Sequence, residues 1–153
     1  TLNNDFYFNY NFTFLVLGGN EKKNFYINNI NFNFLGTFND EKILSELYNC
    51  CDLVAIPSLV DNLPQVGLEA QMCGIPVLTF DIEGLNEIVE HKKTGYLAKY
   101  MNEESFILGL KWIIKNNQNK IFNKNIARQA FNTLSFNKTS NFLNQYYEKI
   151  YNE

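Results

Sequence analysis

Apolar positions along this chain fall into short continuous runs and runs at helical spacing, set apart by polar or glycine-bearing loops. Residues 12–17 form a continuous apolar and β-branched run, with Phe12, Phe14, Leu15, Val16 and Leu17, closed by Gly18-Gly19. That pattern predicts a buried strand. The two glycines suit either an ordinary strand-to-helix turn or a tight turn where backbone comes near a ligand. Residues 1–10 are polar and aromatic without a clear period and fit the tail of a helix begun upstream. Residues 21–29 predict a short, weak helix, and 32–36 a second strand ending on Gly36. Asn39 or Asp40 can cap the next helix, 41–50, in which Ile43, Leu44, Leu47 and Tyr48 lie at helical spacing.

Further along, 53–56 predicts a strand, 65–73 a helix, 77–80 a strand and 85–89 a short helical segment. Lys93-Thr94-Gly95 marks a turn before a strand at 96–98. Asn102 caps a helix over 103–115 whose Phe106, Ile107, Leu110, Trp112, Ile113 and Ile114 make a broad apolar face. A further helix is expected over 120–133. A last one begins near Ser135 or Asn137 and carries Phe142, Leu143, Tyr146, Tyr147, Ile150 and Tyr151. Short strands alternating with helices predict an α/β, doubly wound parallel sheet of Rossmann-like type. Neither a Gly-x-Gly-x-x-Gly run after the first strand nor a Walker loop is present.

The chemistry gathers in one stretch, from Pro57-Ser58 through Asp61, Leu63, Pro64, Gln65, Val66, Gly67, Glu69 and Ala70 to Gly74-Ile75-Pro76-Val77. Strand, polar loop, helix and strand is the unit with which parallel sheets build ligand sites at their carboxyl edge. Pro64 suits the start of the helix because its missing N–H would be unsatisfied there. The helix then offers free N–H groups and a positive dipole end, suited to a diphosphate. Gly67 would let a ligand or neighbouring backbone approach. Glu69 stands eight positions after Asp61, and a carboxylate can accept two hydrogen bonds from a cis-diol such as a ribose. A second carboxylate in the loop would face the group at the other end of the diphosphate. By spacing alone the pair is a weak signal, and Asp61 as a loop cap with Glu69 as a solvated helix residue is the better fit.

Composition narrows the classes. With 153 residues, 46% of them hydrophobic and 19% charged, the chain suits one globular domain. A net charge of −3 supplies no phosphate-neutralising surface for nucleic acid. Cys50, Cys51 and Cys73 are odd in number, and His91 is the single histidine, which fits thiols in a reducing cytoplasm rather than a disulfide framework or a zinc site. No apolar run approaches the ~20 residues of a membrane helix. The first residue is Thr1, which suggests a piece of a longer protein.

The spaced motif Pro57-Ser58, Asp61, Leu63-Pro64, Glu69-Ala70, Gly74, Pro76-Val77, with Glu87-Ile88-Val89 and Thr94-Gly95-Tyr96-Leu97 downstream, resembles the donor-binding domain of group 1 (family 4) glycosyltransferases. The resemblance runs from about Phe12 to Ile114, and Leu134-Ser135-Phe136 with the aromatic helix after it resembles the family's terminal helix. It implies the C-terminal half of a GT-B glycosyltransferase. Residues 1–153 would be a single nucleotide-sugar donor-binding domain, with 134–153 crossing to an absent N-terminal acceptor domain. It further implies that Glu69 binds ribose hydroxyls and that Asp61 sits by the transferred sugar as the catalytic-side acid. Asp61 stands where the family has Glu, a shorter side chain. Backbone at Leu63, Gln65, Val66 and Gly67 would bind sugar hydroxyls and phosphate, and Gly18 and Gly19 would form part of the floor for base and pyrophosphate.

The reaction so implied moves a hexose-type sugar from a nucleotide donor to a glycan, polysaccharide or lipid-linked acceptor. It proceeds with retention and without a metal or other cofactor. The resemblance also places the protein in the cytoplasm, or peripheral to the inner membrane in full-length form. The first strand of the domain, with the family's Arg and Lys clamp on the diphosphate, would lie upstream of Thr1, so the chain alone would bind nucleotide weakly and not transfer. A sugar-nucleotide epimerase and a non-catalytic nucleotide-sugar-binding or scaffold module of the same fold are the competing readings. His91 reads as a surface residue, Trp112 as core, and Lys92-Lys93 as a solvated turn. Tyr146, Tyr147 and Tyr151 leave self-association through the terminal helix open.

Overall fold

A computed structural model describes residues 10–62, 64–117 and 126, with backbone alone at 20 and 21. The expected helix tail before Tyr10, the helix from 135 with its tyrosines, and the helix over 120–133 lie outside the described residues. Ile126, helical and fully buried, is the exception. The chain divides into two compact units, Thr1–Leu44 and Ser45–Glu153.

In the first unit, β1 (Phe12–Ile27) is far longer than the strand expected at 12–17, and it does not close at Gly18-Gly19. The glycines form a bend inside it, with φ of +100° and +74°. Before the bend, partners on β2 (Ile30–Gly36) rise together, from Phe12↔Ile30 to Val16↔Phe34. After it they fall, from Lys23↔Phe34 to Ile27↔Ile30, which is the order of a hairpin. β2 therefore has one arm of β1 on each side.

The helix expected at 21–29 is overturned by this second arm. Phe25, Tyr26 and Ile27 are aromatic or β-branched, which favours a pleated surface. Asn28, at φ +53°, closes a two-residue turn with Asn29 in the left-handed conformation that Asn tolerates. Rings in one row across the three segments stack, Phe14 on Phe32 at 5.1 Å and Phe25 on Phe32 at 5.0 Å. Such cross-strand aromatic pairs hold the register.

Helix α1 (Glu41–Asn49) is capped by Asp40 rather than Asn39. The Asp40 carboxylate accepts from the N–H of Lys42 at 2.8 Å and of Ile43 at 3.3 Å.

The second unit is built on a three-stranded parallel sheet in the order β3 (Val54–Ile56), β4 (Val77–Phe80), β5 (Gly95–Ala98). All four residues of the central strand β4 are buried, as a continuous apolar run predicts for a strand covered on both faces. The parallel α/β architecture expected from the sequence is therefore present. Helix α2 (Gln65–Met72) joins β3 to β4 and ends on a Schellman motif at Gly74, φ +78°. There Ile75 N–H donates to the Ala70 carbonyl at 2.9 Å and Gly74 N–H to that of Gln71 at 2.8 Å.

Helix α3 (Leu85–Ile88) follows β4. Helix α4 (Glu103–Asn117) starts at Asn102, whose Oδ1 accepts from Ser105 N–H at 2.7 Å. α4 lies close on the sheet at Gly109, where a Cβ would stand 2.5 Å from a Tyr96 ring carbon and 2.6 Å from Leu78. Trp112, half-buried rather than fully in the core, packs its ring on Tyr96 at 6.0 Å. Among the described residues no helix is long and apolar enough to cross a membrane.

Candidate functional site

Two loops leave the carboxyl edge of the parallel sheet side by side. The first follows β3, carries Asp61 and leads into α2. The second follows β4 and leads into α3. Gly84 joins them. It holds φ +86°, and a Cβ there would stand 2.1 Å from the Asn62 carbonyl oxygen and 2.8 Å from that of Asp61. The loop after β4 is thus a floor on which the Asp61 backbone rests, and only a residue without a side chain fits between them.

That floor is itself braced. Asp81 N–H donates to the Ala98 carbonyl at 2.7 Å, and Asn86 Nδ2 donates to the Asp81 carboxylate at 3.1 Å. At the strand ends, buried Thr79 donates its hydroxyl to the Ile56 carbonyl at 2.9 Å, tying β4 to β3 where the Asp61 loop begins.

Asp61 is partly buried, and among the described residues no donor holds its carboxylate. Leu63 lies outside the described residues. Pro64 is the N-cap, at φ −69° and ψ 116°, and no side chain caps the helix. The amides of Gln65 and Val66 lie in the first turn, where a helix offers no internal partner. The Gly67 N–H is already used, donating to the Pro64 carbonyl at 3.0 Å. The space on the Gly67 Cα is also filled, since a Cβ would meet Ile88 Cδ1 at 2.6 Å and Ile56 Cδ1 at 3.3 Å. The structure therefore gives Gly67 a packing role, closing α2 onto β3 and α3. Gly18 and Gly19 are exposed in the first unit, with nothing within 4 Å of where a Cβ would stand.

Glu69 is half-buried in the second turn of α2. Its Oε2 accepts a hydrogen bond from the hydroxyl of Tyr48, on α1, at 2.8 Å. Burial pushes the Tyr48 phenol well above its ordinary value of about 10, and the hydrogen bond to Glu69 and the charge of Glu69 add to the rise. A group whose folded value is raised contributes stability that is complete below its unfolded value and is lost as pH rises through the folded one. Stability should therefore fall as pH climbs above about 10. Tyr48→Phe should flatten the slope there, and denaturant melts of both proteins between pH 8 and 11.5 read the difference. Equal slopes would contradict the assignment.

Tyr48 and Gly84 were not singled out as site residues by the sequence. Tyr48 sits at an apolar helical spacing and reads as core, which its ring is, at 5% exposure. A glycine immediately before a short helix, in Glu83-Gly84-Leu85, is the one signal that could have marked Gly84.

Residues outside the site have other duties. His91 is exposed, as expected. Its Nδ1 accepts from the Leu97 N–H at 3.1 Å, and its ring packs on Tyr96 at 4.6 Å. Lys93 pairs with Glu90. Cys50, Cys51 and Cys73 are free thiols. Burial pushes the Cys51 thiol up, and its Sγ donates to the Leu47 carbonyl at 3.2 Å. Among the described residues no group of three or more His, Cys, Asp or Glu could hold a metal ion.

A parallel sheet with this loop and helix at its carboxyl edge is the α/β arrangement of GT-B glycosyltransferases. The chain is similar in fold to sucrose-phosphate synthase from Thermosynechococcus elongatus. The TM-score is 0.66 over 80% of this chain and 30% of that one, at 20% identity. It is also similar to Anabaena HepE, solved in complex with UDP, with a TM-score of 0.59 and 25% identity over 80% of this chain and 33% of that one. A family model for glycosyl transferases group 1 matches residues 8–132, and the chain belongs to that family. An uncharacterized glycosyltransferase of Haemophilus influenzae is 34% identical over 85 residues. Those are 55% of this chain and 23% of the relative, so the chain spans about a quarter of that relative's length.

Proposed function

We propose that this chain is the donor-binding part of a retaining glycosyltransferase that holds a nucleoside-diphosphate sugar through α2. The observation that carries the reading is one helix presenting two kinds of recognition group. Glu69 is an acceptor for a ribose diol. One turn earlier, the Gln65 and Val66 amides and the helix dipole supply donors for a diphosphate. The HepE complexes with UDP and with UDP-glucose, at 25% and 27% identity, support this class of ligand.

Asp61, on its braced loop, would accept hydroxyls of the sugar. Catalysis on this reading is mostly positioning and stabilisation of the leaving diphosphate, whose charge meets N–H groups worth about 0.3–1 kcal/mol each turn end by the dipole alone. No metal or other cofactor enters the proposed reaction. A hexose-type donor and a glycan, polysaccharide or lipid-linked acceptor fit it.

The test is a donor screen on the full-length protein with UDP-, GDP- and ADP-sugars, chelator present, and an acceptor extract from the host. One donor should be consumed, and NMR of the product should show the anomeric configuration of the donor preserved. An inverted linkage would rule out the retaining step. Consumption that depends on added metal would rule out metal-free transfer.

A further inference from the structure

Tyr48 comes from α1, outside the strand–loop–helix unit, yet its hydroxyl ends on the carboxylate central to that unit. Packing at this position asks only for the ring, since Leu44, Leu47 and Tyr48 share the apolar spacing of α1. A hydroxyl taken into a buried place costs free energy unless it is bonded. Among the described residues its hydrogen-bond partner is Glu69 Oε2, at 2.8 Å. Cys73 and Cys51 are the other ionisable groups near it, and both disfavour the phenolate. The phenol accordingly stays protonated and donates its hydrogen bond to the Glu69 carboxylate.

We propose that Tyr48 is a positioning residue for nucleotide recognition: by donating to Oε2 from the buried side it fixes the Glu69 rotamer and leaves Oε1 to accept the ribose hydroxyls of a nucleoside diphosphate. This rests on the reading of Glu69 as the ribose carboxylate. A glutamate on a helix surface otherwise spreads over several rotamers, and ordering it would count against binding. With one oxygen held by the protein, the ligand meets an acceptor already set, and the tyrosine hydrogen bond polarises the same carboxylate that the diol uses.

The experiment compares whichever of UDP, GDP and ADP binds the full-length protein tightest with its 2′,3′-dideoxy counterpart, by titration calorimetry. The wild type should prefer the ribose form by about tenfold or more, the scale of a charge-assisted hydrogen bond. Tyr48→Phe, which keeps the ring, should lose about five- to tenfold on the ribose form and nothing on the dideoxy form. Unchanged dideoxy binding shows at once that the variant is folded. Equal loss on both forms, or loss on neither, would overturn the positioning role. Glu69→Gln separates the two levels. If it abolishes the ribose preference while Tyr48→Phe does not disturb it, the ribose reading stands and the Tyr48 proposal fails. If Glu69→Gln leaves the preference intact, or the wild type shows none, both fail.

Discussion

Gly84→Ala is expected to cost the protein about 3–4 kcal/mol and to lower its melting temperature by roughly 6–15 °C. Two effects add. The residue holds φ +86°, a region that L side chains rarely adopt, and its new Cβ would overlap backbone, 2.1 Å from Asn62 O and 2.6 Å from Asn62 C. A side-chain tip could swing away, but carbonyls of a loop seated between two strand ends cannot. The relief available is to push the Asp61 loop off its floor. In whatever fraction stays folded, the protein should therefore lose its preference for a nucleotide-sugar over the bare nucleotide, because Asp61 moves while Glu69, on the helix, does not.

Gly18 is the contrasting case. Its φ of +100° is also strained, but nothing stands within 4 Å of where a Cβ would go. Alanine there should cost only the backbone term, about 1–2 kcal/mol. Differential scanning calorimetry of the two variants reads both numbers. Similar losses at the two positions would show that the Asp61 loop does not rest on Gly84.

The sequence disclosed some elements to within a residue because their signals were local. Strand β4 is a run of four buried residues between Pro76 and Asp81, and α2 is bounded by Pro64 and by Gly74. Proline and glycine act through their own backbone, so they mark boundaries without knowledge of the rest of the fold. The segment 21–29 failed for the opposite reason. It reads as a short, weak helix, while the deciding contacts are Phe25 on Phe32 and Phe34, rings on a neighbouring strand. Tertiary pairing overrode a weak local preference.

The site divides in the same way. The placement of Glu69 on a helix that follows a polar loop was legible because a strand, a polar loop, a proline and a carboxylate follow one another in the chain. Tyr48 was not, since its partner lies 21 residues away and its spacing is fully explained by the core. Gly84 was not, since what it touches is the backbone of Asp61 and Asn62, which no side-chain pattern records. Gly67 was read as room for a ligand or neighbouring backbone, and the space on its Cα is taken by the side chains of Ile88 and Ile56. A glycine declares that something comes close, and only the fold says what.

Glu69 is the residue on which the proposed nucleotide site depends. Its carboxylate would accept ribose hydroxyls in charge-assisted hydrogen bonds, each worth about 1.5–3 kcal/mol in favourable settings. Glu69→Ala removes them and strands the buried Tyr48 hydroxyl as well. Titration calorimetry of UDP, GDP and ADP into the protein and into Glu69→Ala is the most direct measurement. The wild type should bind at least one of the nucleotides and the variant should lose about 10- to 100-fold, while still folded by circular dichroism. Equal affinity in the two proteins would remove Glu69 from the site and overturn the ribose assignment.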